Sequence, residues 1–219
     1  MEREELEKMK ITYQPPLFVQ NIFPQFVWHS EKEKILLTFD DGPNPHTTEK
    51  ILQTLKDEKI SALFFCVGDN VRRYSSLAKG IFEEQHALGN HAYHHQRVTR
   101  LSKKGLKDEI EMTNRIIEEV CGMHPNYFRP PHGRFTFHLA ATLKEFKMKN
   151  VMWSLLTYDY KNDEKVVKFA IKNYLTKNAI VVFHDSDKSA SLICDAIKYV
   201  ADEAARKYFQ FGTPEECLS

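Results

Sequence analysis

Hydrophobic and polar positions along this chain follow two different periods. Short apolar runs rich in β-branched and aromatic residues occur at ILLTF (35–39), ISALFFCV (60–67), VMW (151–153) and AIVVF (179–183). Longer segments with a helical period lie between them. The clearest covers 102–121. There Leu106, Ile110, Thr113, Ile117 and Val120 share one face, Ser102 stands at the N-cap position and Gly122 follows as a stop. The same pattern predicts helices over 46–58, 71–86, 136–147, 163–177 and 189–207. Strand–helix alternation specifies a parallel sheet covered by helices, open or closed into a barrel. In both forms chemistry gathers at the C-terminal ends of the strands.

Polar clusters stand at those ends. Asp40 and Asp41 directly follow ILLTF, His184 and Asp185 follow AIVVF, and Arg129 follows the short run NYF. Clusters from distant parts of the chain that occupy the same kind of position favour one shared site. Two adjacent carboxylates repel each other, so a metal or an arginine belongs beside Asp40 and Asp41. In GNHAYHH (89–95), His91 and His95 are four apart and face the same way on one helical turn. That spacing suits two imidazoles on one metal, and one carboxylate of the aspartate pair completes a set with open positions. His94 can replace either histidine on spacing alone. In FRPPHG (128–133) two prolines stiffen the backbone and Gly133 permits a close approach. Such a loop can aim an N–H at a developing oxyanion, and Arg129 can pair with the free aspartate. His184, at the end of an apolar strand, can serve as acid or base. Asp185 either orients it or caps the following helix with Ser186. The aromatic residues of WSLLTYDY (153–160), around Asp159, suit a sugar-binding groove wall and core packing equally.

Composition narrows the partners. A net charge of +1, with 31 basic residues scattered among 30 acidic ones, gives no electrostatic case for nucleic acid or an anionic membrane. At 219 residues with 42% hydrophobic content, the chain is expected to form one domain, a monomer or weak homo-oligomer. No apolar run approaches the roughly 20 residues of a membrane helix. The start, MEREELEKMK, carries both signs of charge rather than a basic stretch and an apolar core. The chain as written is therefore expected to be cytoplasmic, with the cell envelope the alternative where a leader has been removed. The four cysteines contain no CxxC pair, which argues against a zinc ribbon. Cys66 and Cys194 are expected to be buried, and Cys217 to be exposed near the tail.

In this order, LTFDDGP, GNHAYHH, FRPPHG, the acid at Asp159 and IVVFHD resemble the polysaccharide deacetylase family (the NodB-homology domain, carbohydrate esterase family 4), in its short single-domain bacterial form. The similarity runs from about Phe18 to the tail. It implies a distorted, incomplete (β/α) barrel of about seven strands, with 1–34 packing on the barrel and 35–219 forming the deacetylase domain. It implies Asp40 as general base and Asp41, His91 and His95 as ligands of one divalent metal, zinc first, with cobalt, nickel or manganese as alternatives. His94 then lies outside the ligand set. Arg129 would orient the base, the His132 N–H would hold the oxyanion, His184 would be the general acid and Val182 would line the acetyl pocket. Asp159 would support Arg129 and tune His184. The implied substrate is an N-acetylglucosamine-containing carbohydrate of peptidoglycan or chitin type. The competing readings are an O-acetyl esterase, a small-molecule amidohydrolase, or a non-catalytic carbohydrate-binding module. Four positions depart from the family pattern: Ala92 replaces the Ser/Thr after the first histidine, His132 a tyrosine, Ser154 an aspartate, and Tyr160 a Trp or Phe.

Overall fold

The structure, a computed structural model, describes residues 12–219. Residues 1–11 of the expected N-terminal segment lie outside the described residues. The strands are β1 (Lys34–Asp40), β2 (Ala62–Cys66), β3 (Ala87–Asn90), β4 (Tyr127–Phe128), β5 (Lys149–Asn150), β6 (Leu155–Leu156), β7 (Ile180–His184) and β8 (Gln210–Phe211). They form one sheet in the order β5-β4-β3-β2-β1-β7-β6, with β8 pairing beside the start of β1. Neighbouring strands are parallel throughout. The edges β5 and β6 do not pair with each other, so the barrel is incomplete, as the family resemblance implies.

Alternation along β1 decides what faces where. Ile35, Leu37 and Phe39 point into the larger core, under the outer helices. Phe39 stacks there on Phe64 of β2 and Phe183 of β7, with ring centroids 4.9 and 5.8 Å away. Leu36 belongs to a separate inner cluster with Leu63, Phe65, Val151 and Ile180. Thr38 and Asp40, two and four residues on, lie on that same inner face. The register sets Asp40 opposite Phe65 on one side and His184 on the other. The end of β1 therefore sits in the middle of the sheet, between the residues it needs.

The long helix spans Lys103–Cys121 as the sequence predicts. The Ser102 side chain caps it by accepting the Gly105 N–H, and Gly122 closes it at φ 69°. Three expectations change. The helix expected over 71–86 is two, Gly68–Arg73 and Ser75–Glu83, broken at Tyr74. The first is tied to the histidine loop by Gly68 N–H to Ala92 O (3.0 Å) and Asp69 N–H to Tyr93 O (3.1 Å). The strand expected at 151–153 is reduced to one bridge between Val151 and Val27, because the Arg129 side chain takes the carbonyls of Val151 and Met152. Cys217 is buried beside Gly212, whereas Cys194 is partly exposed, the reverse of their expected places.

The N-terminal residues that are described pack on the sheet and its helices. Tyr13 is 4% exposed and lies among Tyr158, Phe169 and Tyr174, with centroids 5.1 to 5.7 Å away. Phe26 and Trp28 join a second core with Phe128 and Leu139. No helix among the described residues is long and apolar enough to cross a membrane. Tyr13→Ala is expected to destabilise the protein by about 3 kcal/mol or more, by leaving an aromatic-sized hole. Tyr13→Phe should cost little, because the hydroxyl has no partner among the described residues. Urea unfolding of both variants checks this, and wild-type stability in Tyr13→Ala would mean that the N-terminal segment does not support the barrel.

Candidate active site

The aspartate pair resolves its repulsion by turning the two side chains apart. Asp40 ends β1 in extended backbone and is 6% exposed. Its Oδ1 accepts a hydrogen bond of 2.7 Å from Nη1 of Arg129. Arg129 is fully buried. It also donates to Thr38 Oγ1 (2.7 Å), Val151 O (2.9 Å) and Met152 O (2.6 Å), and its guanidinium lies 4.2 Å from the centroid of the Phe65 ring. Four of the five N–H groups and one face of the cation are therefore occupied, as a buried charge requires. Arg129 makes no hydrogen bond or ion pair with Asp159; main-chain carbonyls and Thr38 take the place of the expected support.

Asp41 leaves the strand at φ 78° and points elsewhere. Its Oδ1 lies 3.1 Å from His95 Nε2 and 3.6 Å from His91 Nε2. Ligand atoms of Asp41, His91 and His95 all fall within 4.8 Å of one another. The structure thus brings these three together, though not on a helical turn. Residues 91–97 form a loop, with Ala92 at φ 62° and His95 at φ 54°. His94 turns outward and is bound by Glu109.

This donor set fits a divalent cation. The Arg129 carbonyl accepts from His91 Nδ1 at 2.7 Å, so that nitrogen carries the hydrogen and the Nε2 lone pair faces Asp41. Burial pushes the His91 imidazole down to about 4 despite the nearby Asp40 charge, which keeps it neutral. Burial raises the Asp41 carboxyl, but the hydrogen bond from His95 and the charge of His184 outweigh it and hold Asp41 below the usual carboxylate range. Two imidazoles and an ionised carboxylate with open positions suit zinc and other first-row ions alike.

Opposite the ligand set stands His184. Its Nδ1 donates to Asp159 Oδ1 at 2.8 Å, and its backbone N–H donates to Asp159 Oδ2 at 2.6 Å. Burial opposes charge on this imidazole, yet the Asp159 carboxylate, its hydrogen bond and the more distant Asp41 and Asp40 lift it to about 9. Asp185 neither orients His184 nor caps a helix. It is buried and accepts from Thr47 Oγ1 (2.5 Å) and Thr48 Oγ1 (2.6 Å), which locks the turn after the aspartate pair. A Cβ on Gly42 would lie 2.2 Å from Asp185 Oδ2, so only glycine fits there.

The groups share one cavity of about 300 Å³. Trp153, Leu156, Tyr160, Val182 and Lys188 line it with the aspartates and histidines. The aromatic run at 153–160 therefore divides. Trp153 and Tyr160 face the cavity, whereas Tyr158 packs on Tyr13. The Tyr160 ring stands edge-on to His184, 4.8 Å between centroids. His132 sits at φ 58° with its ring 4.6 Å from that of His95. The turn's hydrogen bonds, Gly133 N–H to Pro130 O and Arg134 N–H to Pro131 O, leave the His132 N–H out. Ser154, where an aspartate is usual, accepts the Ile180 N–H at 3.0 Å and serves the sheet. Sequence reasoning missed Thr38, Glu109 and Lys188. Only Glu109 carried a signal, a charge on the buried stripe of the helix, three residues after Leu106.

The family model of the polysaccharide deacetylases matches residues 29–152, more than half of the chain. The chain belongs to the polysaccharide deacetylase family. The peptidoglycan-N-acetylmuramic acid deacetylase PdaC of Bacillus subtilis is 33% identical over 199 residues, covering 90% of this chain. This chain spans only 42% of PdaC's length. Among solved structures, the Bc1960 peptidoglycan N-acetylglucosamine deacetylase superposes with a TM-score of 0.86 at 25% identity, covering 93% of this deacetylase-family chain and 96% of its own. BA3943 from Bacillus anthracis, a pseudoenzyme of carbohydrate esterase family 4, gives a TM-score of 0.80 at 26% identity and covers 90% and 69%.

The buried histidines have a stability signature. His91 and His86 are both held near 4 by burial and are uncharged in the folded metal-free protein at neutral pH. The unfolded chain takes up those protons first, near the ordinary 6.5, so their effect is lost stability as pH falls below that value. His184 works the other way. Its folded value of about 9 lies above the unfolded one, so its contribution is complete below about 6.5 and is lost as pH rises through 9. Urea unfolding in chelator should therefore show maximal stability near pH 6.5, falling on both sides. Asp159→Asn should flatten the alkaline side, and an unchanged alkaline limb in that variant would refute the assignment.

Proposed function

We propose that this chain hydrolyses N-acetyl groups from N-acetylated amino sugars in a poly- or oligosaccharide of peptidoglycan type. A fold shared with a pseudoenzyme does not carry an activity, so the reading rests on the atoms of the site. The observation that carries it is the pairing of Asp40 and His184. They end neighbouring strands in register, beside one three-ligand set, and each is oriented by its own buried partner, Arg129 or Asp159.

Asp41, His91 and His95 would hold the divalent ion, zinc before cobalt, nickel or manganese. When bound, such an ion supplies Lewis-acid polarisation of the acetyl carbonyl and of water. Asp40, aimed by Arg129, accepts the proton of the attacking water as its oxygen bonds to the acetyl carbon. The His132 N–H, left out of its own turn, is available to the oxyanion that develops on the carbonyl oxygen. His184 stays protonated at neutral pH and gives its proton to the amide nitrogen as the C–N bond breaks. Acetate and a free amino sugar result. Val182 and Leu156 would form the apolar wall for the acetyl methyl, and Trp153 and Tyr160 the sugar-facing walls. A peptidoglycan-type substrate places the reaction in the cell envelope, the alternative to the cytoplasm.

The test is acetate release from N-acetylglucosamine oligomers and from muramic-acid-containing fragments, after chelation and again after zinc is restored. Zinc-dependent release is expected, with Asp40→Asn slower by about 10²–10⁴-fold. Tight zinc binding without release from any N-acetyl substrate would shift the reading to an O-acetyl ester or a small amide. Neither binding nor release would favour the non-catalytic module.

A further inference from the structure

The loop that carries His91 and His95 lacks the hydroxyl usual at position 92 and has two residues in the left-handed region. We propose that Glu109 is the positioning residue that takes over: from the long helix, its carboxylate fixes the backbone at Tyr93 and His94 and thereby aims His95 at Asp41. This deepens the metal-site reading above and rests on it.

Glu109 is only 7% exposed. Its Oε2 accepts the N–H groups of both Tyr93 and His94 at 2.8 Å, and its Oε1 lies 2.6 Å from His94 Nδ1. Two consecutive backbone N–H groups on one carboxylate oxygen form a concave anion clamp. The donors to the Glu109 side chain among the described residues all come from this loop, so the loop supplies what the acid that holds it needs. Neither survives well alone, because a buried carboxylate without donors is strongly disfavoured. Other ties exist but stop short. Asn90 Oδ1 accepts the Ala92 N–H at 2.8 Å, while Asn90 Nδ2 donates to Ile110 O and Asn114 Oδ1. Gly68 and Asp69 donate to the carbonyls of Ala92 and Tyr93. Among the described residues, only Glu109 fixes the backbone of His94, the residue next to the ligand. The contact also explains why His94, equivalent to its neighbours on spacing, is not a ligand.

Zinc affinity, measured by competition with a chromophoric chelator, and the thermal midpoint of the metal-free protein test the proposal without any turnover. Glu109→Ala should weaken zinc binding by about 10–100-fold, the usual effect of removing a group that orients a ligand. Glu109→Gln keeps an oxygen for both N–H groups and should bind within about threefold of wild type. Should Glu109→Ala fail to fold, Glu109→Asp withdraws the carboxylate by one methylene. It should then show the loss of affinity with a metal-free midpoint near that of wild type. Unchanged zinc affinity in Glu109→Ala, or in Glu109→Asp where the alanine variant does not fold, would overturn the role of Glu109 alone. A wild-type chain that binds no zinc would overturn the metal site and this proposal together.

Discussion

A guanidinium with no exposure to water must find charge and hydrogen-bond partners inside the protein, or the surrounding structure cannot form. Arg129 meets that demand with one carboxylate, one hydroxyl, two main-chain carbonyls and an aromatic face. The partners come from β1, β2 and the stretch after β5. The requirement therefore joins the two halves of the open barrel at the level of the site. The same residue works through its backbone too, because its carbonyl takes the proton of His91 Nδ1. One residue thus orients the proposed base and selects the tautomer of a proposed ligand. Removing its charge would leave the buried Asp40 side chain without a hydrogen-bond donor and two main-chain carbonyls unsatisfied, so its structural and chemical roles cannot be separated.

Backbone conformation carries the next constraint. Asp41, Ala92, His95 and His132 all occupy the left-handed region, at an expected cost of about 1–3 kcal/mol each. None is glycine, so the sequence does not relax the strain; the surroundings hold it. For Asp41 the positive φ is what parts two adjacent carboxylates, sending one to an arginine and the other to a pair of imidazoles. Thr47, Thr48 and Asp185 lock the turn that follows. Other non-glycine residues, among them Lys59, Gln85, Lys147 and Tyr208, share this conformation elsewhere, so it is not peculiar to the site; at the site it directs side chains that must converge, and it is absent from the strands that bring them there.

The parts legible in the sequence were those set by local pattern. The apolar run of β1 and the polar pair after it have an unambiguous order, and β7 with His184 repeats it. The helix Lys103–Cys121 announces both its ends. Other elements gave no local signal. β3 consists of Ala87, Leu88, Gly89 and Asn90, and it is a strand because Gly89 lets Phe65 and the Tyr127 carbonyl approach to where a Cβ would stand. β8 is two residues long and exists only through its pairing with β1. The histidine spacing found two members of the three-residue cluster through a helical turn that does not form. Spacing alone cannot distinguish four residues on a helix from four residues in a loop with two left-handed turns. Asp185 was assigned to its sequence neighbours, although its partners lie more than 130 residues away.

That last error points to how the site is organised. Three groups with proposed chemistry are oriented by a residue from another element: Asp40 by Arg129, His184 by Asp159, and the loop before His95 by Glu109. The sheet brings strand ends together, but it does not set the direction of a carboxylate or the tautomer of an imidazole. Those depend on single side chains whose loss need not disturb the sheet. Fold and chemistry are therefore encoded by nearly separate sets of residues, and Arg129 is where the two sets meet. A chain of this architecture can keep its barrel and lose its reaction by changing a carboxylate or a histidine. It cannot lose Arg129 without placing both at risk.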